Sequence, residues 1–208
     1  MITLYHHPFT RAANVVWMLE ELGAPYELEF VDIQKGAHKA PEHLARSSMG
    51  KLPVIQDSGA FIAETSAIGV YLADKYSSGE LAPKLDAPER GKYLEYCFYG
   101  PSVVEVGCYA KKAKWEFGEA TAGWGSWDAM MKTLTDAVRG GPYLLGEQFT
   151  MADCVLGGTL NFMLQFKMID EAPELLKYSE AIKARAAYQR AQKVNGTVVK
   201  ERDLKMPG

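Results

Sequence analysis

The chain is predicted to fold as two halves of different class: an α/β domain over residues 1–77 and an all-helical bundle domain over 87–208, joined by a linker at 78–86. Three observations predict this. Strand and helix patterns in the first 77 residues follow the order β-α-β-α-β-β-α, a thioredoxin-like order of parallel strands and then an antiparallel hairpin. Ser77-Ser78-Gly79-Glu80-Leu81-Ala82-Pro83 has the composition of a linker. Beyond it only helical patterns recur.

Each element of the first half has its own signal. Residues 2–5 read as a short strand, and His6 to Thr10 as a turn around Pro8. Val15, Val16, Met18, Leu19 and Leu22 have helical spacing, with Gly23 at the C′ position and Pro25 as a stop. Tyr26, Leu28 and Phe30 alternate with Glu27 and Glu29, the period of a second strand. A short helix fits around Pro41–Arg46. Val54-Ile55 and Phe61-Ile62 read as strands joined by Asp57-Ser58-Gly59, a hairpin turn, and Thr65 to Tyr76 is helical. In the second half, helical patterns cover 87–115 (with a kink expected at Gly100-Pro101), 127–138, 151–166 and 173–193. The tail from Asn195 is polar and reads as partly disordered.

One helix start is especially clear. In Phe149-Thr150-Met151-Ala152-Asp153-Cys154, Thr150 is the N-cap, Asp153 can reach back to the cap N–H, and Phe149 can pack on Cys154. Such a cap is worth roughly 1 kcal/mol. Asp153 is therefore read as structural.

Composition excludes several function classes. With 48% apolar and 24% charged residues the chain resembles an ordinary soluble protein. A net charge of −3 gives no electrostatic case for nucleic acid or an anionic membrane surface. Three cysteines without a Cys-x-x-Cys pair argue for a reducing compartment and against a disulfide frame, a zinc site or a dithiol centre. The strand-like start lacks the pattern of a signal peptide, and no apolar run approaches the roughly 20 residues of a membrane span. A cytoplasmic location and no bound metal are expected.

Two neighbouring motifs point to a ligand. Gly50-Lys51-Leu52-Pro53-Val54-Ile55 puts a proline at the entrance of a strand, so that backbone is offered to a partner. Glu64-Thr65-Ser66-Ala67-Ile68 puts an acid and a hydroxyl at the start of a helix, where a carboxylate binds. Together they suit a small peptide.

Over about residues 2–190 the chain resembles the cytosolic glutathione transferases, and it looks like a bacterial member of the group related to the theta and delta classes. The residues that carry the resemblance are Tyr5-x-x-Pro8-x-Thr10, Gly50-Lys51-Leu52-Pro53-Val54, Glu64-Thr65-x-Ala67-Ile68 with Tyr71-Leu72, and Tyr143-Leu144-Leu145-Gly146 leading into Phe149-Thr150-x-Ala152-Asp153. The resemblance implies a homodimeric, detoxifying transferase with glutathione as cosubstrate, no other cofactor, and a small apolar electrophile as second substrate. A glutathione-dependent isomerase or dehalogenase, or a non-catalytic interaction protein of the same fold, are the alternatives. Without a cysteine in the first 96 residues, the classes that form a mixed disulfide with glutathione are disfavoured.

The resemblance also assigns roles. A cysteine thiol titrates near ~8.5 and only the thiolate is a good nucleophile. A hydroxyl at the head of the first helix would stabilise it. Thr10 stands where the resembling classes place a catalytic serine; its other reading is a helix cap. Tyr5 and Arg11 are the rival thiolate partners. Pro53 resembles the family's cis proline, which would leave the Leu52 N–H and C=O for the cysteinyl backbone of glutathione. Glu64 and Thr65 would meet the γ-glutamyl ammonium and carboxylate, and His38, assisted by Lys51, the glycyl carboxylate. Tyr96, Tyr99, Val103 and Val106 share one predicted helical face. Of these, Tyr99 and Val103 are the candidates for the apolar substrate site, expected between the domains. Trp115, Phe117 and Trp124 would form a lid. His6 and His7 receive no role.

Overall fold

The computed structural model describes residues 1–118 and 120–206. The chain divides into two compact units, Met1–Leu72 with Arg185–Gly208, and Ala73–Ala184.

The first unit is built on four strands: β1 (Ile2–His6), β2 (Tyr26–Phe30), β3 (Val54–Asp57) and β4 (Ala60–Ala63), in the order β2-β1-β3-β4. β1 pairs in parallel with β2, Leu4 opposite Leu28, and antiparallel with β3, Leu4 opposite Ile55. β3 returns into β4 through Ser58 and Gly59, both at positive φ, as a two-residue hairpin whose twist matches the strands requires. The Asp57 carboxylate fixes this turn by accepting from the Ser58 hydroxyl (3.2 Å) and the Tyr71 hydroxyl (2.9 Å). β1 is central, with Ile2, Leu4, Tyr5 and His6 all buried. β2 is an edge whose Glu27 and Glu29 stay exposed, the alternation that predicted it.

Helix α1 (Ala12–Leu22) ends as expected at Gly23, whose φ of 67° and N–H bond to the Leu19 carbonyl (3.0 Å) close the helix. A 3-10 turn (Ala37–Lys39) and the short α2 (Pro41–Leu44) follow β2, and α3 (Thr65–Tyr76) follows the hairpin. The last helix of the chain, numbered α9 below (Ala186–Glu201), also belongs to this unit. It lies on α1 through the Trp17–Tyr188 ring pair (5.1 Å). Two ion pairs, Arg185–Glu21 (2.6 Å) and Arg190–Glu20 (2.7 Å), flank that contact. Asn195 donates to the Ala13 carbonyl (3.2 Å) and meets His6 Nε2 at 2.7 Å. This grouping differs from the second domain expected over 87–208, and of the tail expected to be partly disordered, residues 195–201 are helical while 207–208 lie outside the described residues. The buried positions of α9 are Ala187, Ala191 and Asn195. They repeat every four residues but carry almost no apolar signal.

The second unit is helical: α4 (Arg90–Tyr99), α5 (Glu105–Lys112), α6 (Trp127–Ala137), α7 (Gly158–Gln165) and α8 (Pro173–Lys183). The kink expected at Gly100-Pro101 is a π-helical stretch, Gly100–Val104, that joins α4 to α5. Gly100 is required there, because a Cβ would stand 2.9 Å from Thr159 Oγ1 and 3.3 Å from the Leu156 backbone. The extra residues per turn rotate the helix, so Tyr96 is buried while Val106 is exposed, and the single apolar face expected for 96–106 is broken.

Asp153 does more than cap. One oxygen accepts from the Thr150 N–H (2.8 Å) and hydroxyl (3.3 Å), the other from the Leu144 N–H (2.9 Å) and the Tyr178 hydroxyl (2.9 Å). Burial pushes this carboxyl up to about 6 against four donors that favour the charged form.

Candidate functional site

The head of α1 and the loop before it are ordered by short bonds. The His7 carbonyl accepts from both the Thr10 N–H (3.1 Å) and the Thr10 hydroxyl (2.8 Å). The same hydroxyl accepts from the Ala12 N–H (3.2 Å). Thr10 therefore bonds the first N–H of α1 from one residue before the Arg11 N-cap, and its proton already has an acceptor. A sulfur anion would have to win that proton from a neutral carbonyl, which a charged acceptor is able to do. Arg11 is half-buried just before α1.

Tyr5 is placed elsewhere. It is 3% exposed, its hydroxyl donates to Gln56 Oε1 (3.3 Å), and the Arg46 guanidinium covers its ring at 4.4 Å. A β1 side chain held in this way packs with the core, and its hydroxyl would have to leave Gln56 to serve as the alternative thiolate partner.

The candidate peptide cradle lies in the loop before β3. The Leu52–Pro53 bond is cis, as the resemblance implied. Neither the N–H nor the C=O of Leu52 bonds to another described residue. Gly50, at φ +58°, supports the loop, since a Cβ there would come 2.6 Å from the His38 carbonyl. That close approach ties the Ala37–Lys39 turn to the loop. His43, on α2, ties it further through Nε2 and the Lys51 carbonyl (3.1 Å), and Lys39 Nζ donates to the Met49 carbonyl (2.8 Å). His38, Lys39, His43 and Lys51 thus form one basic cluster. Burial first, and then Lys39, His43 and Lys51, push the His38 imidazole below its ordinary value. Its Nδ1 is buried and meets no partner among the described residues.

Glu64 stands at φ +70°, a conformation uncommon for a residue with a side chain. Its carbonyl accepts the first bond of α3, from the Ile68 N–H (2.9 Å), while its side chain is exposed. Thr65 is the first residue of that helix. Strained backbone of this kind concentrates at ligand sites.

In the helical unit the Tyr99 hydroxyl donates to the Met130 carbonyl (3.2 Å), and Val103 is half-buried in the π stretch. Trp124 packs on Gly107, where a Cβ would meet its ring at 2.9 Å, and pairs edge-on with Phe117 (5.7 Å). Trp115 is 65% exposed.

Sequence reasoning gave His6 and His7 no role, yet both are fully buried beside the Thr10 loop. His6 bonds Asn195, and His7 Nδ1 accepts from the Phe9 N–H (3.2 Å). Two consecutive histidines after an apolar strand were the available signal. Among the described residues no group of His, Cys, Asp or Glu is arranged to hold a metal, and no helix is long and apolar enough to cross a membrane.

The glutathione S-transferase N-terminal domain matches residues 1–74, and the C-terminal domain matches 117–181. Glutathione S-transferase 2 of Schizosaccharomyces pombe is 31% identical over 90% of this chain and 89% of its own. Human glutathione S-transferase theta-2 is 29% identical over 85% of this chain and 78% of its own. A solved glutathione transferase family member from Pseudomonas fluorescens, with two glutathione bound, is similar with a TM-score of 0.70 and 26% identity, covering 91% of each chain. The chain belongs to the glutathione S-transferase family of enzymes.

Proposed function

We propose that the protein binds glutathione and stabilises its thiolate for attack on a small apolar electrophile. The observation that carries this is the Thr10 hydroxyl at the head of α1, bonded between the His7 carbonyl and the Ala12 N–H. Nucleophile, helix terminus and hydroxyl donor then meet at one point, and the N-terminal dipole of α1 adds to the stabilisation. Leu52 and Pro53 offer backbone to the cysteinyl residue. Thr65 and Glu64 take the γ-glutamyl carboxylate and ammonium, and His38 with Lys51 takes the glycyl carboxylate. The glutathione held by the Pseudomonas fluorescens relative supports this choice of peptide. Tyr99 and Val103 contribute apolar surface for the second substrate. A homodimer and a detoxifying role belong to the same reading, and the exposed Phe98, Val106 and Tyr109 supply apolar surface for a second copy. A reducing, cytoplasmic setting is supported by three buried cysteines outside any disulfide, of which Cys97 and Cys108 have thiols pushed up to about 12 by burial.

The test is titration of bound glutathione by thiolate absorbance, together with conjugation kinetics. Thr10→Ala should raise the apparent thiol pKa by about 1 unit or more and lower kcat roughly 10–100-fold, the value of one charge-assisted hydrogen bond. Unchanged values in Thr10→Ala would pass the role to Tyr5 or Arg11.

A further inference from the structure

His7 bonds the loop that carries Thr10 through both its carbonyl and its imidazole. Its carbonyl is the acceptor for both the N–H and the hydroxyl of Thr10. Its imidazole Nδ1 accepts from the N–H of Phe9, two residues on. The ring is fully buried, 5.6 Å from the Phe9 ring and 5.4 Å from that of Phe30, with Nε2 meeting no partner among the described residues. Accepting at Nδ1 puts the ring proton on Nε2. A buried imidazole is a costly residue for filling space between two phenylalanines. What it supplies that an apolar side chain lacks is the acceptor for Phe9.

We propose that His7 is the positioning residue for the thiolate donor: its Nδ1 pins the Phe9 N–H, and so fixes the direction in which its own carbonyl and the Thr10 hydroxyl point. This rests on the reading of Thr10 as that donor. The ring and the carbonyl of one residue close two overlapping turns over residues 7–10. In the free protein the Thr10 proton lies on the His7 carbonyl. With glutathione bound, the hydroxyl exchanges that neutral acceptor for the sulfur anion. The exchange is a short rotation only while the loop keeps its shape. Without the Nδ1 bond, the Phe9 peptide can turn and the hydroxyl loses its aim, and small misplacements of this kind are costly in rate.

The test compares His7→Asn with His7→Phe. Asparagine offers an oxygen to the N–H two residues on, as in an Asx turn. Phenylalanine keeps a buried ring and offers no acceptor. With full-length protein, His7→Asn should keep kcat within about twofold and the bound thiol pKa near that of the parent. His7→Phe should lower kcat by roughly tenfold or more and raise that pKa, with KM for glutathione within about threefold, because the peptide cradle is untouched. In a Thr10→Ala background, His7→Phe should have no further effect on either quantity. Equal behaviour of His7→Asn and His7→Phe would overturn the proposal, as would a further loss in the double variant. A Thr10→Ala protein with unchanged kcat and thiol pKa marks failure of the underlying Thr10 reading instead. If His7→Phe does not fold, His7→Leu carries the same comparison.

Discussion

His6 shows how much a single buried polar residue can determine. It ends the central strand, is fully buried, and meets Asn195 at 2.7 Å. Burial pushes its imidazole down from 6.5 to about 4, with the Asn195 bond opposing and the neighbouring His7 adding to the shift. A base with a lowered folded pKa binds fewer protons when folded. Stability is therefore full above pH 6.5 and is lost as the pH falls towards 4, by about 3 kcal/mol at most. His6→Gln keeps a donor for Asn195 and does not titrate. Denaturant melts between pH 7 and 4 should show the parent losing stability relative to His6→Gln; parallel curves would remove His6 as the cause. Two consecutive histidines after an apolar strand signal burial, but the local sequence does not name the partner, which lies 189 residues away. Pro53, Glu64 and Thr65 were legible for the opposite reason: turn and helix-start chemistry is local.

At the level of elements, patterns with a local cause were readable and patterns set by packing were not. The alternation of β2, the Ser58-Gly59 hairpin and the Gly23 stop each follow from backbone preferences of the residues present. The π stretch at Gly100–Val104 does not, because it answers to Thr159 and Leu156 pressing against Gly100. The Thr150–Asp153 start lies between these cases. Its sequence predicted a cap worth roughly 1 kcal/mol, whereas the folded carboxylate also holds the Leu144 N–H and the Tyr178 hydroxyl. Asp153→Ala orphans buried donors from three segments, at a cost on the order of 3 kcal/mol or more. The melting temperature should fall by roughly 6–12 °C for a chain of this size. The head of α1 and the peptide cradle belong to the other compact unit, so retention on immobilised glutathione should persist below the transition. A melting temperature equal to the parent's would reduce Asp153 to an ordinary surface cap.

The whole chain passes from the first unit to the second and back, and α1 explains the return. Its buried residues are Ala12, Val15, Val16, Trp17, Met18 and Leu19, five of them consecutive. A helix covered on one side only shows a stripe, and a continuous run requires cover on both. The sheet supplies one side, and α9 supplies the other with Tyr188, Asn195 and two arginines. This run was visible in the sequence, and it is the signal by which the placement of the last helix could have been deduced. Residues 1–77 are therefore expected not to fold as a self-sufficient domain. Expressed alone, they would leave one side of α1 bare and take the arginine partners from Glu20 and Glu21. Trp17 is the only tryptophan in that stretch, so its fluorescence reports directly on the missing cover. The fragment 1–77 should show solvent-exposed Trp17 emission and no cooperative melt. A fusion of 1–72 to 185–206 through a long flexible linker should restore buried emission and a single transition. Cooperative melting of 1–77 alone, with buried emission, would show that the sheet and its own helices suffice and that α9 is an accessory.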